Sequence, residues 1–368
     1  MQNAHRVAAR GHLECRVLVV AALASVLFGL FQAPPAPPAA PALDHVIILS
    51  VDGLRSDALP AAGAQDLPNF HQLLGGAATL NARCDPQHSV TLPNHTGMLT
   101  GRLTSGVAGH GWTGNLDPPP EATLHQHGGY LAGAFDVAHD HGLRTALIAS
   151  KTKFVLYARS WNAVHGAPDK VGADGGRGKL DSYLYAATAT RVTDAALADL
   201  RAGGRSLVML HYADPDLAGH AAGWDLTAGS LYLQSVAHVD RQIGRLLTAV
   251  REDPLLRGRV AVIVTADHGG GAPHRSHERS DMWVDYVIPF LVWRGDGVPG
   301  GELYALNPES RSDPGLRQAA AGRAALPPIR NADAGNLALG LLGLPAIPGS
   351  TVNAKQDLRV DRPDALPR

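Results

Sequence analysis

At 368 residues, with 45% hydrophobic and 18% charged side chains, the chain has the makeup of a globular protein with a sizeable core and not of a disordered one. Its 32 Lys and Arg balance 33 Asp and Glu without any basic run, so charge gives no support to binding of a nucleic-acid polymer. Of two cysteines, only Cys84 lies in the body of the chain, which argues against a disulfide across the fold and against thiolate metal sites.

Residues 1–33 read as an export signal or an N-terminal membrane anchor. Arg6, Arg10 and Arg16 precede an apolar run over 17–31, short for a transmembrane span. A Pro/Ala-rich linker follows at 34–43, and its prolines leave both cleavage and an uncleaved tether open. Either way the body is expected outside the cell or in the periplasm, soluble or anchored.

Residues 44–51 (DHVIILSV) form a nearly continuous apolar run and predict a buried parallel strand ending at Asp52-Gly53. Short helical patterns follow at 68–74 and 93–99, the second opening on Pro93. The stretches 102–130 and 155–180 are rich in Gly, Pro and His and predict cap-like loops. Further strands are expected at 144–149, 206–211, 259–265 and 287–293. Long amphipathic helices are expected at 181–201 and 227–250, and a last helix at 331–342. Residues 44–350 thus form one domain, with 351–368 as a C-terminal tail. The alternation predicts a three-layer α/β/α sandwich with a mostly parallel central sheet and a small loop-rich cap.

In open α/β sheets, ligands bind beyond the carboxyl ends of the strands. Three predicted strands deliver metal-ligand types there: Asp52, then His211 running into Asp216 and His220, then Asp267 and His268. His277 follows in SHER, with His274 three residues away as a substitute. Carboxylates and imidazoles are the donors zinc takes without thiolates, and manganese or iron fit the same set. Thr91, in SVTLPNHTG, stands ahead of a helix N-terminus, where backbone amides and the helix dipole favour an anion. A hydroxyl there needs a base or a metal to become a nucleophile, and no serine-hydrolase elbow is present.

VDGLR at 51–55, TLPNHTGMLTGR at 91–102, DPDLAGH at 214–220, TADHG at 265–269 and His277 ahead of IPFLVW resemble, in this order, the alkaline phosphatase superfamily. They are most similar to its type I nucleotide pyrophosphatase/phosphodiesterase branch, over residues 46 to about 345. The resemblance implies an alkaline phosphatase-like catalytic domain with two divalent metal ions, zinc by ligand type. It implies one ion on Asp52, Thr91, Asp267 and His268, and another on Asp216, His220 and His277. It also implies Asn94 on a non-bridging phosphoryl oxygen, a phosphothreonine on Thr91, and a small-molecule phosphate ester as substrate.

Lys151 and Lys153 open the loop after the strand at 144–149, on the same edge. They read either as solvated charges or as recognition of a dianionic monoester, so monoester and diester cleavage both stay open. Asp214 reads as a turn or supporting residue, and His95 as support for the helix start. His125-Gln126-His127 and His139-Asp140-His141 have ligand-like spacing but fit ordinary histidines as well. The rivals are a phosphonoacetate-type hydrolase, a sulfatase around Cys84-Asp85-Pro86, a cofactor-independent phosphoglycerate mutase, and a non-catalytic phospho-ligand binder. The sulfatase pattern has His88 where an arginine is required, and the mutase would need a serine nucleophile and a large inserted domain.

Overall fold

The apolar runs of the sequence form the centre of one seven-stranded sheet. The computed structural model describes residues 43–171, 175–271, 275–315 and 326–362. The expected export segment, all but the end of the linker and His274 lie outside the described residues. The strands are β1 (His45–Val51), β2 (Ala77–Arg83), β3 (Arg144–Ala149), β4 (Ser182–Tyr185), β5 (Ser206–Tyr212), β6 (Val260–Thr265) and β7 (Val287–Arg294). Their spatial order is β2-β7-β6-β1-β5-β3-β4. All residues of β1, β5 and β6 are buried, as expected of strands covered on both faces.

Five strands, β6, β1, β5, β3 and β4, are parallel neighbours. β7 runs antiparallel to both β6 and β2. The segment between β6 and β7 contains, among the described residues, only the short helix Trp283–Tyr286, and a parallel return would need a longer crossover. β2 and β4 were not anticipated. The expected helix at 181–201 opens as β4, where Tyr183, Leu184 and Tyr185 suit an edge strand. It becomes helical only at Ala189–Arg201, behind Thr188, whose side chain accepts from the Arg191 amide at 3.4 Å.

Another unforeseen helix, Asp214–Ala222, starts almost as soon as β5 ends and carries Pro215 in its first turn. The helix Leu231–Glu252 begins where Ser230 accepts from the Leu233 amide, at 3.2 Å. The segment expected as a tail packs on the domain as far as it is described. Leu358 and Val360 are buried, Asn307 Nδ2 donates to the Arg359 carbonyl at 2.9 Å, and Arg311 joins Asp333 and Asp357. No helix among the described residues is long and apolar enough to cross a membrane.

β6, β1, β5 and β3 lie side by side, so Asp267, Asp52, His211 and Lys151 emerge from adjacent carboxyl ends.

Candidate active site

Thr91 is the first residue of the helix Thr91–Thr100, behind Val90 in extended conformation, and makes no side-chain cap. Its hydroxyl is therefore not spent on holding the helix. His95, one turn on, pins the helix over β1. Its Nδ1–H donates to the Thr91 carbonyl at 2.7 Å, leaving Nε2 to accept from Ser50 Oγ at 2.8 Å. Burial, with His211 alongside, pushes the His95 pKa well down, so the ring is neutral and this tautomer is fixed. The adjoining loop is held by a reciprocal pair. His277 Nδ1–H donates to the Ser89 carbonyl at 2.6 Å, and Ser89 Oγ donates to the His277 carbonyl.

The carboxylates and imidazoles converge beside Thr91. Asp52, Asp267 and His268 form one group and Asp216, His268 and His277 another, with ligand atoms in each group within 4.8 Å of one another. His268 belongs to both. Asp216 and His220 lie one turn apart on the helix Asp214–Ala222, with Nε2 of His220 3.3 Å from Asp216 Oδ1. Gly53 makes the close approach possible. Its φ is +69°, and a Cβ there would stand 2.9 Å from Asp216 Cα.

Several atoms in this cluster are both buried and without a hydrogen-bond partner: Asp52 Oδ1, Asp216 Oδ1, Asp267 Oδ2 and His268 Nε2. Buried polar atoms without partners are costly, and three carboxylates share one lysine here, so such convergence points to a cation. The imidazoles agree. His268, His277 and His220 each engage Nδ1 with a backbone carbonyl, of Gly269, Ser89 and Arg275 at 2.9, 2.6 and 2.9 Å. Each thereby turns Nε2 into the site, the arrangement a metal ligand needs, although Asp216 beside His220 raises the pKa of that ring. For His277, burial chiefly pushes the pKa down to about 3, which keeps that lone pair free of protons at neutral pH. The donor set of oxygen and imidazole nitrogen, without sulfur, fits a divalent cation such as zinc.

Lys151 stands in the middle of this cluster. Its Nζ is 2.6 Å from Asp52 Oδ2, 2.7 Å from Asp216 Oδ2 and 3.3 Å from Thr91 Oγ1. Burial opposes its charge, but Asp52 and Asp216 outweigh it and raise the ammonium pKa. Burial also works against an ionised Asp52, yet Lys151 and His211 hold its carboxyl well below the ordinary range. Asp267 goes the other way, raised by burial and by the Asp52 charge.

Asn94 engages its amide locally: its Nδ2 donates to the His88 and Val90 carbonyls at 2.7 and 3.0 Å and its Oδ1 accepts from the Asp85 amide at 2.9 Å. A second carboxamide, that of Asn115, stands at the start of the Thr91 helix, where its Oδ1 accepts from the Leu92 amide at 3.1 Å and faces Lys153 Nζ at 3.3 Å. It lies in an aperiodic loop with no local signal. His211, left without a role by the sequence, supports Asp52. The Ser150 amide donates to its Nδ1 at 3.3 Å, so its Nε2–H donates to Asp52 Oδ2 at 2.8 Å. Only its place at a strand end could have flagged it.

Other singled-out residues stay apart. Asp214 accepts from the Ala189 amide at 3.2 Å. His125 bonds the Ser160 carbonyl at 2.7 Å and the Leu131 amide at 3.1 Å. His139 groups with Asp140 and Asp169, but the buried Lys179 ammonium already lies 2.6 Å from Asp140 Oδ1. Cys84 is sealed in the core, where burial raises its thiol pKa.

Residues 46–313 match the family model described as type I phosphodiesterase / nucleotide pyrophosphatase. Among curated proteins, the chain is similar to a 2,3-bisphosphoglycerate-independent phosphoglycerate mutase of Nostoc punctiforme. The two are 35% identical over 136 residues, which cover 36% of this chain and 23% of that protein. The counterpart from Trichormus variabilis is 35% identical over 133 residues, 35% of this chain and 22% of that one. The matched part thus spans less than a quarter of these relatives' length. Among solved structures, the fold is similar to alkaline phosphatase PafA, at 13% identity and TM-score 0.54, covering 87% of this chain and 99% of that one. A protein in the alkaline phosphatase superfamily from Vibrio parahaemolyticus gives 12% identity and TM-score 0.52 over 84% of this chain and 68% of that chain.

Proposed function

We propose, from the premise that the chain belongs to the type I phosphodiesterase / nucleotide pyrophosphatase family, that it is a phosphohydrolase using Thr91 as nucleophile beside two divalent cations. The observation that carries this reading is the set of orphaned, buried Asp52, Asp216, Asp267 and His268 atoms gathered next to a threonine hydroxyl that has no structural duty. Asp52, Thr91, Asp267 and His268 would hold one cation, and Asp216, His220 and His277 the other. When bound, such ions supply Lewis acidity at the attacking and departing oxygens and make the hydroxyl a nucleophile at neutral pH.

The protein's own groups do the rest. Thr91 Oγ1 forms the new bond to phosphorus as the ester oxygen departs on the opposite side, giving a phosphothreonine that water then cleaves back to threonine and phosphate. The amino end of the helix Thr91–Thr100 favours the anion there. Lys151, within hydrogen-bonding reach of Thr91 Oγ1 at 3.3 Å, is placed to exchange its carboxylate contacts for an equatorial phosphoryl oxygen. Lys153 and Asn115 sit beside that mouth, whereas Asn94 has no donor to spare.

The Lys151 ammonium beside Thr91, with the Lys153 ammonium held nearby on Asn115, favours a doubly charged monoester or phosphonate over a singly charged diester. We therefore take monoester cleavage as the leading reading. Diester or pyrophosphate cleavage is the second, supported by the family description. The test is a side-by-side kcat/KM comparison on the zinc-loaded protein of p-nitrophenyl phosphate, its bis-ester, a thymidine phosphodiester, phosphonoacetate and phosphoglycerate. A preference for the monoester supports the first reading, and a preference for the diester above about a hundredfold, some 2.7 kcal/mol in barrier, sinks it. Isomerisation of phosphoglycerate without release of phosphate would overturn the hydrolase reading.

Lys151→Ala sharpens the comparison. Removing one preorganised donor costs roughly 100-fold or more where charge develops, so the monoester rate should fall about that much. The diester rate should fall less than about tenfold, because one negative charge fewer is left unmatched. Equal losses on both substrates would mean that Lys151 serves the site without reading charge.

A further inference from the structure

Trp224 has no role in the proposed chemistry, yet it touches the segments that carry Asp52, His220, His268 and His277. The side chain is fully buried. Its Nε1–H donates to the Gly53 carbonyl at 3.0 Å, next to Asp52. Its indole is clamped between Gly219 and Gly270, where added Cβ atoms would stand 2.3 and 2.1 Å from the ring. Its edge meets the imidazoles of His220 and His277 in T-shaped contacts, with centroids at 5.2 and 5.9 Å. The indole is itself held. The Arg55 guanidinium donates to the Trp224 carbonyl at 3.0 Å, and Tyr232, which packs beside it, shares the Gly53 carbonyl as acceptor at 2.9 Å.

Three stretches that are far apart in sequence, around residues 53, 219–220 and 270–277, thus rest on one rigid aromatic plate. Hydrogen bonds to backbone carbonyls fix the tautomers of His220 and His277, but a single such bond leaves a ring free to tilt. The T-shaped contacts remove that freedom. We propose that Trp224 is a positioning residue for the Asp216–His220–His277 group, its indole being the wall that sets where the two imidazoles stand relative to Asp52. The Asp52–Asp267 side of the site meets Trp224 through backbone and through His268, which stacks on His277 with ring centroids 3.6 Å apart, so the effect should be larger at the Asp216–His220–His277 position than at the other. The inference rests on the two-cation reading above.

The experiment is equilibrium dialysis of Co2+ into the chelator-stripped full chain, wild type and Trp224→Phe, with bound metal counted per chain and thermal unfolding recorded alongside. Wild type is read first. Uptake of two ions upholds the underlying reading, and uptake of fewer overturns it together with the role of Trp224. Given two ions, Trp224→Phe should keep one close to wild-type affinity and bind the second about 10- to 100-fold more weakly, the range seen when supporting partners of metal ligands are lost. The loss should not add to that of His220→Ala, since both act on one position. Unchanged affinity at both positions, or equal weakening at both, overturns the proposal, because a merely structural tryptophan would not discriminate between them. Wild type supplies an independent readout should the variant not fold. Tryptophan emission should be quenched on filling of the position that His220→Ala removes, and emission indifferent to that ion overturns the proposal as well.

Discussion

Replacing Thr91 with alanine should abolish hydrolysis while leaving the protein folded and able to take up metal. Loss of a catalytic nucleophile costs up to about 10⁶-fold, and what remains comes from electrostatic stabilisation and binding, so we expect kcat/KM to drop by at least about 10⁴-fold. The clean separation follows from local structure. Thr91 occupies the first helical position, Val90 precedes it without a side-chain cap, and the Thr91 hydroxyl meets Lys151 and no backbone amide of the helix. A capping threonine would cost about 1 kcal/mol on truncation. Here the unfolding midpoint should stay close to that of wild type. Thr91→Ser should restore part of the rate, and rapid quenching with a labelled monoester should trap a phosphorylated chain only where a hydroxyl is present at position 91. Undiminished turnover by Thr91→Ala would remove the nucleophile assignment, and with it the phosphothreonine.

Stripping the metal should be nearly as damaging. Chelation followed by desalting should lower kcat/KM by at least about 10³-fold, and zinc should restore it, since both the attacking and departing oxygens lose their Lewis acid. Stability should fall as well. Ions present at about 1,000 times their dissociation constant stabilise the native state by roughly 4 kcal/mol. The structure explains why the stripped chain should still fold. Lys151 bridges Asp52 and Asp216, His211 supports Asp52, and Asp267 relieves the remaining repulsion by taking up a proton.

That last point fixes a sign. A carboxyl whose native pKa lies above its unfolded value binds its proton more tightly when folded, so the contribution of Asp267 to the stability of the stripped protein is lost as pH rises from the unfolded pKa through the native one, whereas the depressed His95 and His277 contribute in the opposite sense. Cation uptake displaces the proton, so zinc affinity should strengthen over the same rise in pH. Metal uptake measured at two pH values, with proton release followed in weak buffer, checks both statements. A chain equally active and equally stable after exhaustive chelation would remove the cations from the reading altogether.

The central strands were legible because burial on both faces leaves a signal that survives in one dimension. β1, β3, β5 and β6 fall within a residue or so of the apolar runs that foretold them. β4 and β2 were hidden for the opposite reason. One is a four-residue exposed edge, and the other, AATLNAR, mixes polar residues into a strand paired antiparallel at the far side of the sheet. The candidate ligands Asp52, Asp216, His220, Asp267 and His268 could be picked out because each sits at a strand end or in a short motif after one, whereas His277 was picked out by its place ahead of the last strand. A sequence names the Asn94 amide without saying where its donors point.

What the sequence determined unaided is the chemistry on offer. It supplied a hydroxyl ahead of a helix, carboxylates and imidazoles at strand ends, no thiolate to compete, and a family pattern that orders them. Only the tertiary structure decided how these groups are used. Strand order laid β6, β1, β5 and β3 side by side, which put Lys151 between two carboxylates and His211 behind Asp52. Buried backbone carbonyls chose the histidine tautomers, and the indole of Trp224 came to rest on three distant stretches. The physical reason is that a residue's type is local, whereas hydrogen-bond partners, burial and the field of neighbouring charges come from chain segments that meet only on folding.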